Sequence, residues 1–212
     1  MVGDKIVYTA PSKEFWDVPG VVHRGKVGTY RFFEGRTDSM SYSDMIKTFG
    51  IQIPSSLLVW DFIFRVYAIM EQNPKEAERL RISLKEGFRR FVATSTIGIY
   101  NPSGEEDEVV HGYGSSEQFS FRGDIIGSIG LVTDVPYKKG LEFFFGTDDV
   151  GKINRVSQWV NNTDSYLWTL PFKVLEREGR AVWFGASPDK LILNCNKFFS
   201  SNSSSFRLFR ID

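Results

Sequence analysis

The chain has 212 residues, 42% of them hydrophobic and 25% charged, with Lys+Arg and Asp+Glu both at 26. That excludes an intrinsically disordered chain and is enough for a sizeable core. Zero net charge excludes a global field drawing the protein onto nucleic acid or anionic lipid, and the single cysteine, Cys195, excludes an internal disulfide and a multi-cysteine zinc site.

Met1-Val-Gly-Asp-Lys carries early charges and no apolar core, so no signal peptide is read there. With one cysteine, a cytoplasmic location is the expectation. Strands are predicted over 5–9 and 27–33, separated by a loop punctuated by Pro11, Pro19 and Gly20. Ser41 is an N-cap candidate for a helix running to Phe49, with Asp44 at its positive end and Gly50 to stop it.

The next helix is predicted from Pro54. Leu57, Leu58, Trp60, Phe62, Ile63, Phe64, Val66, Tyr67, Ile69 and Met70 cover nearly its whole circumference, the mark of a central buried helix. Asp61 and Arg65 are spaced to pair along it. The apolar run from Leu57 to Met70 is too short and too charged to cross a bilayer. Asn73-Pro74 opens a third helix, with Ala77, Leu80, Leu84, Phe88 and Phe91 as one stripe, and the two long helices are expected to form a hairpin.

The period changes near Ser95. Seven to nine strands are predicted beyond it. They include 119–121, a strand with Leu141, Phe143 and Phe145 on one side and Phe144 on the other, and a meander over 166–174, 181–184 and 191–195 turned at Glu178-Gly179 and Ser187-Pro188-Asp189. A last strand over 206–211 follows the loop Ser200 to Ser205. Segments 103–108 and 146–152 are the other expected loops. The predicted fold is α+β: an N-terminal helical hairpin layer on a mainly antiparallel C-terminal sheet or sandwich, one domain over 1–212 with a soft boundary near 95–104.

Chemistry-bearing patterns are sparse. His23 and His111 are the only histidines. Cys195 continues the alternation of Leu191 and Leu193 toward the core, where a thiol is inert. Gly112 to Ser116 lacks the lysine of a P-loop and the order of a nucleophile elbow, and Gly123 to Gly130 lacks the dinucleotide-binding order. Glu105-Glu106-Asp107-Glu108 lacks EF-hand spacing and reads as a solvated acidic loop. Lys75, Arg79, Lys85, Arg89 and Arg90 form a basic helix face interspersed with glutamates.

Aromatic residues are 15% of the chain, and nineteen are Phe. Trp159, Trp168 and Trp183 fall in the β half. Phe144 and the Phe198-Phe199 pair are positioned to point off both faces of their strands, and a strand apolar on both faces is covered on both.

The expected function is therefore a non-enzymatic protein-binding or self-assembling structural protein. It would use Phe144, Trp159, Trp168, Trp183, Phe198 and Phe199, with no cofactor and no metal, and a second copy or another protein as partner. Three alternatives stand beside it. They are a carbohydrate-binding β module using the three tryptophans, a hydrolase assembled from distant strands with His111 as base, and RNA binding by the basic helix face.

A strand, Tyr42-Ser43-Asp44 leading a helix, a second helical stretch and then antiparallel strands make a layout similar to that of matrix proteins of enveloped negative-strand RNA viruses. The similarity lies in layout and one tripeptide, and the basic N-terminus usual in that family is missing. What the resemblance implies is assembly with copies of the same chain.

Overall fold

A computed structural model describes residues 4–9, 14–125, 127, 129–135 and 138–212. Its N-terminal strands are β1 (Val7–Thr9), β2 (Phe15–His23) and β3 (Lys26–Phe33). With the C-terminal strand β13 (Arg207–Arg210) they form an antiparallel four-stranded sheet in the order β1-β2-β3-β13. Strand β2 corrects the expected loop. Pro19 and Gly20 fall where the β2–β3 register shifts between Val18 and Val21, a bulge that tolerates a residue without an N–H. Gly20 takes φ +73°, a conformation suited to glycine. Pro11 lies outside the described residues.

Strand β4 (Met40–Ser41) leads into α1 (Tyr42–Phe49), capped as expected by Ser41, whose hydroxyl accepts from the Asp44 N–H at 3.2 Å. Gly50 ends it at φ +48°. Helix α2 (Ser56–Ala68) starts two residues later than Pro54, because Ser55 supplies the cap to the Leu58 N–H at 3.1 Å. Asp61 and Arg65 do not pair. Asp61 takes Nδ1 of His23 at 2.7 Å, and Arg65 reaches Asp4 and, at 2.9 Å, the carbonyl of Pro19. The charges of an otherwise apolar helix thus clamp β2 and the N-terminal segment.

Helix α3 (Pro74–Phe88) carries Pro in its first turn. Asn73 makes no side-chain cap; its amide instead accepts from the Ile6 N–H at 2.9 Å and donates to the Asp4 carbonyl at 2.8 Å. Helix α3 packs mainly on α5 (Val150–Asn161) and on β10 (Glu178–Ser187), and α2 on β2, α4 (Lys138–Phe145) and α5. The two long helices find their main neighbours elsewhere than in each other.

The helices α4 and α5 correct the strand expected at 141–145 and the loop at 146–152. Three consecutive rings, Phe143 to Phe145, read as a two-sided strand, yet a short helix buries all three. Asp149 caps α5 through the Lys152 N–H at 2.9 Å, and Asn162 ends it at φ +61°. Asp149 three residues before Lys152, followed by Ile153, Val156 and Val160 at helical spacing, was a legible signal.

The remaining strands are β5 (Val92–Tyr100), β6 (Glu108–His111), β7 (Phe119–Arg122), β8 (Ile129–Leu131), β9 (Ser165–Trp168) and β11 (Lys190–Lys197). With β10 they form a seven-stranded sheet, order β7-β6-β5-β10-β11-β9-β8. The β10–β11 hairpin turns at the expected Ser187-Pro188-Asp189. Strand β9 ends at Trp168 and pairs parallel with β11, so the sheet is mixed and the expected meander is broken. The fold is broadly α+β.

The second half of the serine-rich segment, Ser203 to Ser205, is buried. Strand β12 (Asn202–Ser203) pairs with β4, and Ser204 and Ser205 thread between Thr37 and Ala93. The Ser205 hydroxyl donates to the Ala93 carbonyl at 2.7 Å, which explains why small polar residues occupy this path.

Aromatic rings join the two sheets. Phe32 of β3 stacks on Phe62 of α2 (5.6 Å) and meets Phe206 (5.0 Å); Phe206 meets Phe88 of α3 (5.6 Å); Phe88 meets Phe184 of β10 (5.2 Å). Trp60 of α2 closes the circuit onto Phe184 (5.9 Å) and Phe145 of α4 (5.0 Å). Gly87 exists for this packing, since a Cβ there would lie 2.1 Å from Cζ of Phe206. Gly87→Ala is expected to lower stability in urea unfolding by about 1–2 kcal/mol, overpacking outweighing the gain in helix propensity. Phe206→Leu in the same chain is expected to remove most of that penalty, as a double-mutant cycle would show.

Candidate interaction face

One face of the seven-stranded sheet is buried against the helices through Leu167, Val182, Phe184, Leu191, Leu193 and Cys195. On the other face, Ala93, Ile97, Val110, Ala181 and Trp183 are covered by Tyr42, Met45 and Ile46 of α1. Among the described residues, that cover does not extend across β9 and β8. Tyr166 and Trp168 stand opposite Leu131 and Ile129 in the β8–β9 register. Cross-strand partners share a face, so the four form one apolar strip. Trp168 is 43% exposed, Ile129 39% and Leu131 37%, at the edge of the sheet.

The segment 169–177 continues the apolar surface. Phe172 is 79% exposed and Leu175 97% exposed. This segment is anchored. Leu170 and Val174 pack against the core, and Nζ of Lys173 donates to Asp107 Oδ1 at 3.1 Å and to Asp124 Oδ1 at 3.3 Å. Hydrogen bonds to the two carboxylates raise the Lys173 pKa against the effect of burial, the largest single influence. Asp107, fully buried, also accepts from the backbone N–H groups of Asn101 (3.0 Å) and Ile125 (3.2 Å). The acidic run is therefore not simply solvated: its third residue is the peg that holds the loop.

The other aromatic candidates scatter. Phe144 lies in the core, fully buried, not on an outer surface. Trp159 is half-buried on Tyr67, ring centres 5.8 Å apart. Phe199 stacks on Tyr42 at 5.3 Å, while Phe198, 59% exposed, lies under the Arg180 guanidinium at 3.6 Å. Trp183 is buried at the floor of a cavity that Arg90 also lines. Of the six rings, Trp168 alone joins the open strip. Phe172 and Leu175 were missed in the sequence, where 166–174 read as one strand of a meander.

The basic face is divided among separate contacts. Arg79 lies over Tyr8 (4.1 Å) and Trp16 (5.2 Å), Arg89 pairs with Glu86 at 2.6 Å, Lys75 is exposed and Lys85 half-buried.

His111 is buried, one ring nitrogen 2.8 Å from Oγ1 of Thr96 and the other 2.9 Å from the Phe143 carbonyl. It reaches no cleft as a general base. His23 is held by Asp61. Burial pushes the Cys195 thiol up, away from a reactive thiolate. Among the described residues, no three His, Cys, Asp or Glu side chains converge as a metal site, and no single helix is long and apolar enough to cross a membrane. No protein-family profile, curated protein or solved structure matches the chain.

Burial, opposed by the Phe143 carbonyl, lowers the His111 pKa to about 3. The unfolded imidazole takes its proton near pH 6.5. Between those values the unfolded chain binds the extra proton, so stability is complete above pH 6.5 and falls as pH drops toward 3, by up to about 1.4 kcal/mol per unit from this residue. His111→Gln is expected to flatten that part of the profile in urea titrations at successive pH values. An unchanged slope would contradict the neutral, structural assignment.

Proposed function

We propose that this protein is a non-enzymatic binding protein that associates with a second copy of itself through the outer strip of β8 and β9 and the segment 169–177. The observation that carries the reading is the exposure of Phe172 and Leu175, 79% and 97%, on a loop pinned by Lys173 and Asp107. Isolated exposed apolar residues are ordinary; a ring and a leucine held outward beside an exposed Trp168 and a free strand edge form a surface suited to contact.

Two features favour a second copy. The chain has no net charge, so two copies meet without overall repulsion. Strand β8 ends the sheet, and an edge strand offers its backbone groups equally to its own image about a two-fold axis.

Sedimentation velocity across a wide concentration range tests this directly. The expected result is a reversible dimer. The triple change Trp168→Lys, Phe172→Asp and Leu175→Asp is expected to weaken it at least about a hundredfold, with unchanged unfolding because all three side chains are exposed. A strict monomer at every concentration, or a dimer indifferent to these changes, contradicts the reading.

A further inference from the structure

A cavity of about 660 Å³ opens between the segment after β3, the C-terminal turn of α3 and strand β12. Two guanidinium groups face it, Arg36 and Arg90. Neither guanidinium makes an ion pair among the described residues; that of Arg36 donates to Ser204 Oγ at 2.8 Å and that of Arg90 to no acceptor there. Burial, and then the positive charge of Arg90, push the Arg36 pKa below its ordinary value. Two guanidinium groups that make no ion pair keep donors to offer an anion.

Two buried groups at the same cavity lack partners. The hydroxyl of Ser203, a residue 3% exposed, and the indole N–H of Trp183, 6% exposed, make no hydrogen bond. An unsatisfied buried donor is costly, and native proteins leave few of them. Here both line a space large enough for a small organic molecule.

The wall is also aromatic. Phe91 takes φ +55°, which L residues rarely adopt, and its ring lies against β10 where Gly185 leaves room: a Cβ there would be 2.3 Å from Cε1 of Phe91. The ring and the indole of Trp183 offer an apolar flank.

Glu34, Asp38 and Glu86 also line the cavity as acceptors. Glu86 is engaged with Arg89, and Glu34 Oε1 accepts from the Trp16 indole at 3.1 Å. Burial pushes the Glu34 carboxyl up, opposed by that hydrogen bond and reinforced by Glu14. The lining therefore combines cations and orphan donors with carboxylate acceptors. A bare anion would use only half of it.

We propose that this cavity binds a phosphate monoester of a polyhydroxylated compound, its phosphate held by Arg36, Arg90, Ser203 and the Trp183 N–H, and its hydroxyls by Glu34 and Asp38. A planar phosphate-binding fork from each arginine supplies charge-assisted bonds, and the acids suit hydroxyl donors. The site is separate from the β8–β9 strip and does not depend on self-association.

Calorimetric titration with ribose 5-phosphate, ribose and inorganic phosphate tests it, with Trp183 fluorescence as a second readout. Ribose 5-phosphate is expected to bind, inorganic phosphate more weakly and ribose not measurably. Arg90→Gln changes an exposed residue and is expected to weaken ribose 5-phosphate binding about tenfold while leaving the melting temperature in place. Ser203→Ala removes an unpartnered hydroxyl; it is expected to weaken binding without lowering stability. Inorganic phosphate binding as tightly as the ester would overturn the assignment of a hydroxylated body. Failure of all three probes, or affinity unchanged in both variants, would overturn the site.

Discussion

The packing of Phe32, Phe62, Phe206, Phe88, Phe184 and Trp60 is the interaction on which the rest of this structure depends. The four-stranded and seven-stranded sheets share no strand. They are held by rings from α2, α3 and the segment entering β13, stacked between them in tilted and edge-on contacts. Each such ring buries a large apolar area and adds a directional term. Of the nineteen phenylalanines, Phe32, Phe62, Phe88, Phe184 and Phe206 are taken up there, with Phe143 to Phe145 of α4 adding to the same core.

That consumption sharpens the meaning of what stays outside. Of the aromatic residues picked out in the sequence, Phe144 and Trp183 are interior and Phe199 and Trp159 half-buried. Ile129, Leu131 and Trp168 at the open end of the large sheet, with Phe172 and Leu175 on the loop beside it, are five of the apolar groups left in solvent; others, such as Val22, Val27 and Phe198, lie elsewhere. The polar cavity follows from the same architecture. The buried Ser203–Ser205 thread, the end of α3 at Phe91 and the segment after β3 meet where the two sheets are bridged, and the bridging leaves Arg36 and Arg90 facing one another.

Helix caps and periodic stripes were legible in the sequence because they are local: Ser41, Gly50, the all-round apolar α2 and the striped α3 were readable from short windows. The 181–184, 191–195 and 206–211 strands and the Ser187-Pro188-Asp189 turn were readable for the same reason. Strand β2 was hidden by Pro19-Gly20, turn residues that here form a bulge. Helix α4 was hidden because it is short and ends in three consecutive phenylalanines, with only Lys139 and Glu142 to mark its exposed side. Parallel pairing of β9 with β11 depends on the crossover of the chain, which no window contains. Arg90 and Trp183 were both singled out as candidates, for unrelated reasons; that they share a cavity with Arg36 and Ser203 is a long-range fact of the fold.

Native-state hydrogen exchange tests the central claim, that the ring packing couples the two sheets. The protected amides of β2 and β3 are expected to open with the same free energy as those of β5 and β10, and Phe206→Leu to lower both together. Exchange of the four-stranded sheet at a markedly lower free energy, with the large sheet unaffected by that substitution, would contradict it.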